Sequence, residues 1–218
     1  MNRKYFTILI SLCALLLSVV LVGAQDAGEP TITYSAVFRV SDASEVENSS
    51  SQLTRFDNGI TASINTGDLE PGDVYTLWWV IFNEPQNCSD GVCNADDMFI
   101  LDENGAIQRD AAGNRVLNMD GIGAANISVQ HAAGSYSTLG TLATSASLGL
   151  GSVPGIVLGP GLLDAARAEV HLVVRTHGPV LGEAFHDQLS TFGGGCEPMD
   201  AVPCVDLQFA IHRPAGQQ

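Results

Sequence analysis

The chain has 218 residues, with nine basic side chains against 24 acidic ones and a formal net charge of −15. So acidic a surface repels nucleic acid and anionic lipid, which excludes both as partners and favours solubility or cation binding. Hydrophobic residues make up 45% of the chain, enough for one sizeable core but spread over short segments broken by 23 glycines and nine prolines.

At the N-terminus, Arg3 and Lys4 precede an apolar run from Tyr5 to Val22, and Val22, Gly23 and Ala24 stand before Gln25. That basic, apolar, small-residue order predicts a cleavable signal peptide over residues 1–24, and hence a secreted, extracellular or periplasmic protein. An uncleaved anchor would need roughly 20 apolar residues without a processing site. Cys13 lies mid-run behind Leu12, where a lipoprotein cysteine would stand at the end of the run behind a small residue. Cleavage removes the only lysine and leaves 194 residues with seven arginines against 24 acids, a net charge of −17. With no later segment apolar enough to span a bilayer, the mature chain is expected to be released as a monomer. Its expected partner is an extracellular ligand or protein.

Residues 25–30 read as a flexible lead, 31–213 as one domain and 214–218 as a disordered tail. Residues 31–40 alternate and are rich in β-branched and aromatic side chains, whereas the polar, serine-rich 41–52 reads as a mobile connection. Residues 60–64 have strict period two. In residues 75–82, Tyr75, Leu77, Trp79 and Ile81 face one way and Trp78, Val80 and Phe82 the other, which predicts a central strand covered on both faces. Further strands are expected at 98–101, 127–130, 145–150, 169–176 and 205–212, and a helix of one or two turns at 161–168, where Leu162, Leu163 and Ala166 share a face. The expected class is all-β, an antiparallel two-sheet sandwich of immunoglobulin-like or related type with at most one or two short helical turns.

The run Leu69, Glu70, Pro71, Gly72, Asp73, Val74, Tyr75 has the spacing of a tyrosine corner, in which the phenol bonds back to upstream backbone. In this the stretch resembles fibronectin-type sandwich domains, an implication for architecture alone. More broadly, residues 69–83 with the following cysteine pair, 170–179, 188–196 and 208–212 resemble an uncharacterised family of exported bacterial β proteins. That resemblance covers most of the mature chain and implies export and disulfides without any activity.

Four mature cysteines, Cys88, Cys93, Cys196 and Cys204, allow two disulfides in three connectivities. Each sequence-local pair brackets a loop of turn formers, which favours Cys88 with Cys93 and Cys196 with Cys204; a four-thiolate zinc site is the rival. The acidic stretch 83–120 offers Asp90, Asp96, Asp97 and Asp102 as candidate calcium ligands, calcium being the one candidate cofactor. Asp102, Glu103, Asn104 and Gly105 begin like a calcium loop, but Ala106, Gln108 and Gly113 break the pattern, and a solvated hairpin loop accounts for the same residues.

His171 and His177 share a strand face roughly 20 Å apart, too far for one ion. A transition-metal site would need His177 to meet His186 or His212 across loops, with Arg175 as an anion clamp. His186, Asp187, Ser190 and the glycines before Cys196 hold the residue types of a hydrolase, but adjacent His and Asp diverge on an extended chain and no nucleophile elbow is present. Tyr75, Trp78, Trp79 and Phe82 would form a sugar-binding face only if one side of their strand were open; burial is the commoner fate of such a run. The glycine runs near 150 and 160 lack the lysine and helix of a phosphate loop. The sequence thus points to a non-enzymatic binding or structural module, with a metal-binding protein or hydrolase using His177, His186 and His212 as the alternative.

Overall fold

The computed structural model describes residues 28–100, 102–104, 108, 111, 116, 125–151, 156–196 and 204–216, the side chains of Asp90, Ala95, Ile156 and Val157 excepted. Among them ten strands form two antiparallel sheets. The smaller has the order β1 (Thr31–Ser35), β3 (Ser50–Phe56), β4 (Gly59–Thr66), β7 (Leu142–Gly149). The larger runs β2 (Phe38–Arg39), β10 (Val205–His212), β9 (Glu169–Pro179), β5 (Asp73–Phe82), β6 (Ile127–Tyr136), β8 (Ile156–Leu158). This is the all-β two-sheet sandwich expected from the short alternating segments. One short helix, α1 (Phe185–Ser190), accompanies it. No helix among the described residues is long and apolar enough to cross a membrane.

Period two decides what each sheet buries. Leu53, Ile60, Ala62, Ile64, Leu142 and Leu148 point inward from the smaller sheet and meet Tyr75, Leu77, Trp79, Ile81, Val170, Leu172 and Val174 from the larger. Each large apolar side chain fully buried there contributes about 1.5–3 kcal/mol. The outward residues of β5 are buried too: Trp78 is 2% and Phe82 0% exposed. β5 therefore lies in the middle of its sheet with apolar packing on both faces, as its unbroken hydrophobicity requires. The tyrosine corner forms as its spacing predicts, with the Tyr75 hydroxyl donating to the Glu70 carbonyl at 2.9 Å. Burial pushes that phenol up to about 12.

Several local expectations are corrected. Residues 161–168 form a turn: Asp164 Oδ1 accepts from the N–H groups of Ala166 and Arg167, and Leu162 is drawn into the core by bridges to Leu150 and Gly151. The asparagine-like capping by Asp164 outcompetes a helix too short to stabilise itself. The helix lies instead at Phe185–Ser190, where the buried Gln188 amide bonds the carbonyls of His177 and Pro179 and accepts from Leu181 N–H. The polar stretch 41–52 ends in strand: Ser50, Ser51 and Gln52 open β3, paired with β1 and β4. Around residues 98–101 the chain makes a 3-10 turn, Ala95–Met98, and then one strand-like exchange in which Ile100 donates to Val116 and accepts from Gln108. At the C-terminal end Pro214 is buried and Ala215 N–H bonds the Ala166 carbonyl, so the sandwich holds the chain past Arg213.

Both disulfides pair locally, Cys88 with Cys93 and Cys196 with Cys204, at Cα separations of 5.0 and 5.7 Å. The first disulfide loop and the segment leading into Cys196 lie over the outer face of the larger sheet, where Val92 and Phe192 border a cavity. That placement creates the site.

Candidate functional site

Between the first disulfide loop and the segment around Phe192 the outer face of the larger sheet is incompletely covered, leaving a cavity of about 370 Å³. Its floor is Trp78, Val80 and Phe82 of β5, Val129 of β6, His171 and Val173 of β9, and Phe209 and Ile211 of β10. Val92 and Cys93 of the first disulfide loop, with Asn94 and Met98 just after it, form one wall, and Phe192, beyond α1, forms the other. A volume of this size, mostly apolar with a few polar groups, is characteristic of small-molecule sites. Val92 and Ile211 also border an adjoining, more polar cleft of about 450 Å³ that is lined by Arg167, Glu169 and Arg213 among others.

The polar groups here are tied to one another. Glu169 and His171 stand two residues apart on β9 and so share a face. Their Oε1 and Nε2 are 2.7 Å apart, and the imidazole lies against the Phe82 ring with centroids 4.8 Å apart. Arg175 donates to Asp206 Oδ1 at 2.7 Å and to the Phe192 carbonyl at 3.1 Å, with its guanidinium 4.0 Å above the Phe192 ring. The anion clamp read in the sequence is thus engaged in holding the cavity wall. Trp78 is boxed edge-on by His131 and Phe192, at 5.1 and 5.2 Å.

The histidines proposed as metal ligands do not converge. His177 is wholly buried: its Nδ1 donates to the Gly194 carbonyl at 2.8 Å, and its Nε2 accepts from Thr76 Oγ1, which in turn accepts from the Trp78 indole N–H. Both ring nitrogens are therefore engaged, and burial holds the imidazole below its ordinary pKa. His212 is 1% exposed between the sheets, bonded to Thr33 and Ser51, and burial with the nearby Arg55 charge lowers it to about 4. His186, by contrast, has a side chain 90% exposed on α1. Its neighbour Asp187 lies 3.6 Å away in solvent, and Ser190 Oγ donates to the His186 carbonyl, so no nucleophile meets a base there.

Among the described residues one group gathers three possible metal-ligating side chains: His177, Cys196 and Cys204. The two sulfurs are bonded to each other and Nδ1 carries the proton given to Gly194, so the trio packs a disulfide against a histidine. The candidate calcium ligands are likewise engaged locally. Asp97 accepts from Ser89 N–H and Oγ through one oxygen and from Asn94 N–H through the other. Asp102 accepts from Asn104 N–H, and Asp96 is an exposed residue of the 3-10 turn. The Asp90 side chain lies outside the described residues, as do Asp110 and Asp120.

With this geometry in hand, comparison with known proteins adds no assignment: no family model, curated protein or solved structure matches the chain. The pairing of Glu169 with His171 escaped the sequence reading, although the i, i+2 spacing on a strand was a usable signal. Phe192 and Val92 carried none, because their approach to β5 depends on how the segments that carry them fold back.

Proposed function

We propose that this protein is an exported binding module that takes a small, predominantly apolar ligand into the cavity on the outer face of the larger sheet. The observation that carries this reading is the cavity itself: an apolar floor on the most hydrophobic strand, walled by the first disulfide loop and by Phe192 ahead of the second disulfide, in a chain whose charge is otherwise strongly acidic. The N-terminal signal pattern and the two disulfides support export. Binding is favoured over hydrolysis because His186 and Asp187 stand exposed while the Ser190 hydroxyl is bonded to the His186 carbonyl, and over transition-metal binding because His177 and His212 have both ring nitrogens engaged.

The test uses an uncharged fluorophore, N-phenylnaphthylamine, with the purified mature protein. Saturable one-to-one binding that quenches tryptophan emission is expected, since Trp78 is part of the floor. Val173→Trp, which fills the cavity from a half-buried position, should abolish binding while leaving the thermal midpoint nearly unchanged. Absence of saturable binding to the wild-type protein, or full binding by the variant, would overturn the reading.

A further inference from the structure

On the buried floor of the cavity, His171 offers an acceptor of its own. Glu169 accepts a hydrogen bond, so in a neutral His171 ring Nε2 carries the proton and Nδ1 is left with a lone pair. His171 is 7% exposed, and among the described residues Nδ1 has no hydrogen-bond partner. Glu169 borders the adjoining cleft, whereas His171 borders the cavity, so Nε2 is turned to the cleft side. The ring packs at a tilt against Phe82. The imidazole is thereby held in one tautomer with its acceptor unspent, an arrangement that second-neighbour carboxylates impose on functional histidines.

Charge narrows the occupant further. Of the acids at this site, Asp206 is ion-paired with Arg175, and Glu169, hydrogen-bonded to His171, also lies in the field of the Arg55 guanidinium. An ionised ligand would lose hydration here without meeting an unpaired counter-charge. An uncharged ligand with a single donor would lose none of its hydrogen bonding.

Resting on the binding reading above, we propose that His171 Nδ1 is the hydrogen-bond acceptor of the cavity, and that the ligand class is an uncharged aromatic body bearing one hydroxyl or N–H donor, as in phenols and indoles. Glu169 is the positioning residue that fixes the tautomer.

The experiment compares naphthol with its methyl ether, which share one aromatic body and differ in the donor, by titration at mildly alkaline pH against the disulfide-intact protein. Naphthol should bind about fivefold to tenfold more tightly than the ether, the value of one hydrogen bond. His171→Phe should bring the two to equal affinity, whatever change it makes to the binding of both. Glu169→Gln keeps the ring but frees its tautomer, and should shrink the difference to less than about threefold. Equal binding of the two probes by the wild-type protein, or a preference that survives unchanged in His171→Phe, overturns the assignment while leaving the cavity as a binding site. Failure of both probes to bind overturns the binding reading as well.

Discussion

The outer faces of the two sheets are built from the same alternation and end up as opposites. On the smaller sheet Gln52, Thr54, Thr61, Ser63, Asn65, Ser145 and Ser147 face out, uncharged and solvated, with Thr61 and Ser147 joined through their hydroxyls at 2.9 Å. On the larger sheet Trp78, Val80, Phe82, Val173 and Phe209 occupy the corresponding positions. A hydroxyl-rich face is satisfied by water and needs nothing on top of it. An apolar face must be covered, and here the cover consists of 3-10 turns, one helix of six residues and connecting chain. Such irregular segments cannot interdigitate with a pleated surface as a second sheet does, which is why the inner side of the larger sheet is close-packed and its outer side retains a cavity.

This contrast can be broken most severely at Phe82. Phe82→Ala should cost about 3–5 kcal/mol, while Thr61→Ala on the other outer face should stay within about 0.5 kcal/mol. Denaturant midpoints measure both, and comparable losses would erase the distinction between a covered and a solvated face.

Acid should act next most strongly, through the buried polar groups that join the sheets. His212 titrates near 4 in the folded protein and near 6.5 when unfolded. Above pH 6.5 both states are neutral at this site and stability is unaffected; as pH falls from 6.5 toward 4 only the unfolded state gains the proton, so stability drops by as much as about 3 kcal/mol. His131 and His177, also lowered by burial, add to the fall with the same sign. The slope of the thermal midpoint against pH should become shallower in His212→Gln, and an unchanged slope would remove His212 from the account.

Replacing Cys88 and Cys93 together by serine should cost about 2 kcal/mol by loop-closure entropy. It should also weaken binding of the naphthyl fluorophore, because Val92, Cys93 and Asn94 form a wall. Unaltered affinity would show that the disulfide loop covers the face without shaping the cavity. The smallest effect belongs to Tyr75→Phe, which removes the bond to Glu70 and should lower stability by about 1 kcal/mol while leaving probe affinity unchanged, since Tyr75 packs on the inner face.

Residue alternation alone determined the class of fold, the central position of β5, the division of its side chains between two faces, the tyrosine corner and the local disulfides, because each depends on periods and spacings of a few residues. The same local reasoning misplaced the helix, since helix formation at six or eight residues depends on whether a tertiary anchor such as Gln188 exists, and it read residues 50–52 as loop because Ser and Gln look alike whether solvated or laddered. It reached the residue types of a metal or hydrolytic site but could not show that His177, His186 and His212 go respectively under a disulfide, into solvent and between the sheets. Tertiary structure alone decided that Val92 and Phe192 face one cavity over β5 and that His171 keeps an unspent acceptor. The cavity is bordered by segments about 100 residues apart, and its shape comes from how they fold over one apolar face.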